Sequence, residues 1–258
     1  MNRNTFATTL TVTSAIFLLL AISSPVATAA ELKWLAPVAM KAATTEMASK
    51  FEQASGHKVK IEYATVGVIT ERLRKGEAAD VAIVSGPQLD ELLKDGKIAA
   101  GSRADVAKVG FGLLIRKGAK NPNISTVEAF KSTLLAAKTF SYNDPALGGP
   151  SGAYSMKLMD RLGIAAAIKP KLKLLPAGGA VAEAIARGDV EMGITVASDA
   201  VNYPGVDIAG AMPAELQSYS LYAAGIVTGG KQAAAAKSLT TFLTSPAAKT
   251  IFKAKGFE

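Results

Sequence analysis

Residues Asn143 to Leu162 read NDPALGGPSGAYSMKLMDRL. A β-like run, Lys138 to Tyr142, leads into this stretch, and the turn residues Asn143, Asp144 and Pro145 stop it. A small-residue loop follows, Leu147-Gly148-Gly149-Pro150-Ser151-Gly152. Tyr154, Leu158, Met159 and Leu162 then recur at helix-face spacing, and Gly163 ends the pattern. A glycine-rich loop therefore feeds a helix start. The first backbone N–H groups of a helix lack internal partners, and the helix dipole is positive there. Such a place holds an anion without a lysine or arginine. An ordinary helix start capped by Ser151 would read the same way.

The same grammar extends in both directions. Upstream, Leu32–Ala36, Val59–Tyr63 and Val81–Val84 read as strands. Each is followed by a short loop and a helical pattern: Met40–Ser55 ending at Gly56, a short helix with Ile69 and Leu73 ending at Gly76, and a helix carrying Leu89, Leu92 and Leu93. Ser85 to Gln88 and Ser125 to Glu128 read as capping boxes. Val109–Ile115 is a long apolar run that suits a crossing segment. Downstream, Leu172–Leu175 and Met192–Val196 read as strands, with a helix from Ala180 to Arg187 between them. Val206–Ala209 reads as an edge strand and Tyr219–Val227 as a second crossing. Two helices close the chain, the last capped by Ser245-Pro246. Alternating strands and helices of this kind make an α/β fold with a mostly parallel sheet.

The composition bounds the rest. The chain has 258 residues, a formal charge of +8, one histidine and no cysteine. Arg3, an apolar run Ala15–Ile22 and Ala27-Thr28-Ala29 read as a signal peptide over residues 1–29, so a periplasmic location is expected. The apolar run is far short of the ~20 residues that span a bilayer. About 229 residues remain, enough for two lobes that need no disulfides. Without cysteine there is no thiol chemistry and no Cys-based metal site. A single histidine, His57, argues against a zinc site or a Ser-His-Asp triad. No nucleophile–base pair and no phosphate loop of the GxxxxGK[ST] type is apparent, so no enzyme, metal or cofactor is expected. The lysines are scattered and have no aromatic residues between them, which argues against nucleic acid as a partner.

With these residues in hand, the chain resembles the periplasmic molybdate-binding proteins of ABC transporters. The likeness is carried by Leu32 to Phe51, by Gly76 to Ser85, by Asp144-Pro145 with Pro150-Ser151-Gly152-Ala153-Tyr154, by Gly193 to Val196 with Ser198-Asp199-Ala200, and by Ser245 to Phe257. The resemblance implies a two-lobed type 2 periplasmic binding protein fold with a cleft between the lobes. Residues 30–110 would begin lobe I, 111–222 would form lobe II with the crossover strands, and 223–258 would return to lobe I. It also implies a monomer that binds a small anionic ligand, closes by a hinge and docks an ABC permease in the inner membrane. A periplasmic sensor or adaptor on the same fold is the alternative.

The resemblance places the ligand at Ala39, Thr65, Val66, Ser85, Ser151, Gly152, Gly178, Thr195 and Val196. Three hydroxyls of the family pattern are missing there: the expected serines fall on Ala39 and Val66, and the expected tyrosine on Val196. Backbone donors near Ser151 and Gly178 remain. A hydrogen bond to a charged group contributes ~1.5–3 kcal/mol, so the three losses amount to roughly 4–9 kcal/mol. That argues for a ligand other than molybdate, with an anionic head and an apolar body, such as a small organic carboxylate. Ser151 serves equally well as a helix cap. Strand propensity accounts for Thr65 and Thr195 at least as well as ligand contact, and capping accounts better for Ser85.

Overall fold

The computed structural model describes residues 29–258. In chain order the elements are β1 Glu31–Pro37, α1 Lys41–Ser55, β2 Lys58–Ala64, α2 Val66–Arg74, β3 Val81–Ser85, α3 Gly86–Lys94 and β4 Ala104–Arg116. Next come α4 Val127–Ala136, β5 Phe140–Asn143, α5 Pro150–Arg161, α6 Ala165–Ile168, β6 Leu172–Leu175, α7 Gly178–Arg187 and β7 Met192–Val196. The chain ends with α8 Ser198–Asn202, β8 Val206–Ile208, β9 Tyr219–Ile226, α9 Ala233–Leu243 and α10 Pro246–Ala254. Short 3-10 turns at Val38–Met40 and Pro145–Leu147 precede α1 and α5.

The strands follow the order β2-β1-β3-β9-β4-β7-β5-β6, with β8 beside β4. β4 joins two halves. Its Ala104–Gly110 segment pairs antiparallel with β9. Its Phe111–Ile115 segment pairs antiparallel with β7. On one side β1 lies parallel to β2 and β3. On the other, β5 lies parallel to β6 and β7. Parallel strands need helical crossovers, which cover both faces, so the central strands read as unbroken apolar runs. Val81 to Val84 is such a run, and all four residues are buried. The fold is thus α/β with two lobes and a cleft where the strand ends of each face the other.

In the first lobe Trp34, Met47, Phe51, Ile83 and Phe252 are buried together. Phe51 meets Phe242 of α9 at a ring separation of 5.8 Å, so the C-terminal helices complete this core. In the second lobe Val181, Ala182 and Ile185 of α7 pack on Leu114 and Val206. α1 ends at Gly56, whose φ of 73° is a left-handed conformation that only glycine adopts without strain.

Several local expectations shift. α2 starts at Val66, with Thr65 as its cap accepting from Val68 N–H, so the short helix read from Ile69 and Leu73 begins three residues before Ile69. Ser85 makes no capping bond; its hydroxyl donates to Gln88 Oε1 at 2.6 Å. Ser125 donates to Asn123 Oδ1 through both N–H and hydroxyl, which leaves Thr126 to cap α4. Pro150 takes the first position of α5, so Gly149 is the cap and Ser151 lies inside the helix. α7 begins at Gly178, two residues before the expected Ala180. The leader expected over residues 1–29 falls, apart from Ala29, outside the described residues. Among the described residues, no helix is long and apolar enough to cross a membrane.

Candidate functional site

The loop after each of several strands ends at the cleft. Pro37, Val38 and Ala39 come from the end of β1, and Thr65 and Val66 from the end of β2. Asn143, Gly149, Pro150 and Ser151 come from the β5–α5 connection. Ala177, Gly178 and Gly179 open α7. Thr195, Val196 and Asp199 follow along β7 and α8, and Tyr222 of β9 closes the back. Together they enclose about 420 Å³, mouth included, a small space among ligand pockets.

Of the nine residues read from sequence, seven meet here: Ala39, Thr65, Val66, Ser151, Gly178, Thr195 and Val196. Ser85 and Gly152 do not. Ser85 is turned toward Gln88. Gly152 faces the strand behind it, where an added Cβ would lie 2.4 Å from the Asn143 carbonyl oxygen. Sequence reading missed Asn143, Asp199 and Tyr222. Asn143 reads as a turn residue, and Tyr222 lies in the middle of a crossing strand. Asp199 carries the one available signal, an acid just past a fully buried strand.

Helix starts converge on the cleft, yet it also holds a carboxyl. Three α-helices, α2, α5 and α7, and the 3-10 turn at Val38 begin on its wall, so their free backbone N–H groups and dipoles converge there. No lysine, arginine or histidine stands among the described residues that line it. Asp199 is almost completely buried. Burial disfavours its charge and raises its pKa from 3.8 to about 7, and the hydrogen bond from Thr195 offsets only part of that rise. Thr195 Oγ1 donates to Asp199 Oδ2 at 2.6 Å. Burial likewise pushes the Tyr222 phenol upward. The Ser151 hydroxyl donates to Asn143 Oδ1, so Ser151 offers the cleft its backbone more than its side chain.

The lobes touch across the mouth. Thr65 Oγ1 donates to the Leu147 carbonyl at 3.2 Å, and Asn202 Nδ2 to the Ala39 carbonyl at 3.4 Å. Below the mouth, Tyr154 stacks on Phe111 at 4.1 Å and its hydroxyl donates to the Leu216 carbonyl. That places Tyr154 in packing beside the point where β4 changes partner. Its pKa is pushed up to about 12 by burial.

Comparison with known proteins fits this architecture. An aconitate isomerase of a Pseudomonas species is 35% identical over 213 residues, covering 80% of this chain and 79% of that protein. The molybdate-binding protein ModA of Azotobacter vinelandii is 30% identical over 238 residues, covering 90% and 91%. In fold, the solved periplasmic molybdate-binding protein of Azotobacter vinelandii superposes with a TM-score of 0.75 at 18% identity, over 88% of this chain and 98% of that one. The pattern described as bacterial extracellular solute-binding protein matches residues 32–258, and the chain belongs to that family.

Proposed function

We propose that this chain is the periplasmic solute-binding component of an ABC importer and that its ligand is a small organic carboxylate. The observation that carries the reading is the chemistry of the cleft wall. Backbone donors at several helix starts suit an anionic head, while Ala39, Val66, Val196 and Pro150 suit a carbon skeleton. A tetrahedral oxyanion would be held by fewer side-chain hydroxyls than the family pattern implies. Closure of the lobes on the ligand would present a surface to a membrane permease. The protein would act as a monomer and catalyse nothing.

The test is calorimetric titration of the ligand-stripped chain with trans-aconitate, citrate and molybdate. Micromolar binding of a carboxylate with no heat from molybdate supports the reading. Micromolar binding of molybdate overturns it, because backbone donors would then suffice for the oxyanion.

One observation favours a second reading. Asp199 is an acid–base group with a pKa near neutrality on the cleft wall, and a relative at 35% identity is named for isomerising aconitate. Groups of this kind cluster at catalytic sites. The second reading is an isomerase of an unsaturated carboxylate. Incubating the protein with one geometric isomer of aconitate and following the proton spectrum separates the two: appearance of the other isomer makes it an enzyme.

A further inference from the structure

Asp199 poses a problem that the carboxylate reading does not solve. Its carboxyl lines the same cleft as the helix starts that suit an anion. Asp199 is 1% exposed, and among the described residues its side chain is bonded by Thr195 Oγ1. The carboxyl is also fixed in place. An added Cβ on Gly178 would lie 2.3 Å from Asp199 Oδ2 and 2.1 Å from Thr195 Oγ1, so the pair is pressed against the start of α7. The titratable groups that feel its charge are Tyr203 and Tyr222, neither of which carries positive charge. Glu183 of α7 acts on Tyr203 and adds only negative charge nearby. No cation on the described cleft wall relieves the carboxyl.

An ionised Asp199 beside an anionic ligand would be two like charges in a water-poor space, and only one can be kept. A neutral carboxylic acid has the opposite character. It is a hydrogen-bond donor, and apolar sites elsewhere hold such acids neutral for that purpose. We propose that Asp199 enters the ligand complex as the neutral acid and donates a hydrogen bond to a ligand carboxylate, so that binding takes up a proton. This rests on the carboxylate reading above and adds to it a specificity device. The site favours a ligand that offers an acceptor oxygen next to Asp199, and it binds that ligand more weakly as the pH rises.

In the free protein the group titrates near 7. At pH 7.5 the uptake should then be roughly 0.75 proton per ligand, and above that the affinity should fall about tenfold per pH unit. The experiment is titration calorimetry with trans-aconitate at pH 6.5, 7.5 and 8.5 in buffers of different ionisation enthalpy. A buffer-dependent heat of that size supports the proposal. In Asp199→Asn, whose amide donates at every pH, the buffer dependence should vanish and the profile should flatten. Binding by the unaltered protein with buffer-independent heat overturns the proposal and leaves the carboxylate reading standing. No heat from trans-aconitate or citrate overturns both. If Asp199→Asn fails to fold, the carbon-13 titration of the Asp199 carboxyl in the unaltered free protein decides. A midpoint near 4 sinks the idea, and one near 7 supports it.

Discussion

Gly67 and Gly148 meet across the mouth of the cleft so closely that a Cβ on either would lie 2.7 Å from the other's Cα. Gly67 belongs to α2 and Gly148 to the loop before α5, so the contact joins the two lobes. Gly67 has ordinary helical geometry, whereas Gly148 has a φ of 70°. Alanine at position 67 therefore suits the helix but not the closed cleft. Gly67→Ala should leave thermal stability within about 0.5 kcal/mol, because the hinge motion proposed above would relieve the clash by parting the lobes. Ligand affinity should fall at least tenfold, read by calorimetry, and small-angle scattering should show a more open particle.

Asp199 should make folding pH-dependent in an unusual direction. Its pKa is raised in the folded chain, so between about 4 and 7 the folded state binds more protons than the unfolded one. Stability from this group is full below pH 4, declines as pH rises to about 7, and is flat above. The rise from 3.8 to about 7 corresponds to about 4 kcal/mol at most. Asp199→Asn should thus raise the melting temperature more at pH 8 than at pH 5, and equal shifts at both pH values would refute the sign.

Thr195 is the donor that makes an ionised Asp199 tolerable. Thr195→Val keeps the shape and removes the hydrogen bond. Its cost should be about 1–3 kcal/mol, larger at pH 8 than at pH 5, because the lost bond supports the charged form most. Urea unfolding at the two pH values checks this.

A second charged cluster behaves conventionally. On the first lobe, Arg72 of α2 bridges Glu62 of β2 and Glu77, and Lys33 of β1 joins both acids. The hydrogen bond from Arg72, ahead of other causes, holds Glu77 at about 2 and lowers Glu62. Both acids are depressed, so their contribution is complete above the ordinary value of 4.5 and disappears as pH falls toward 2. Arg72→Met should cost roughly 1–2 kcal/mol at pH 7 and much less at pH 3.

The strand–loop–helix repeat was legible because its signals are local. Val81–Val84 is apolar without interruption, Gly56 stands where a helix must stop, and Ser245-Pro246 caps α10 as read. Helix starts were less legible. Competing partners decide them, as Asn123 does for Ser125 and Gln88 for Ser85. The cleft was legible as a set of loops, and seven of the residues that line it are ones the family resemblance implied. Asp199 was not, since its meaning lies in burial beside Thr195 and Gly178, 21 residues away in sequence. No periodicity encodes such a meeting.

The shared strand β4 has a consequence for how the chain reaches this shape. β9 inserts between β3 and the first half of β4, and α9 and α10 then cover Phe51 and its neighbours. The second lobe's parallel strands lie in one uninterrupted stretch, whereas the first lobe waits for the last forty residues or so. As the chain emerges from its N-terminus, the inner unit has all of its partners first. The outer unit, though begun earlier, stays without its central strand until nearly the end. Late truncations should therefore act like a missing keystone. Losing α10 would uncover α1 and the first half of β4 while the second lobe still holds its form.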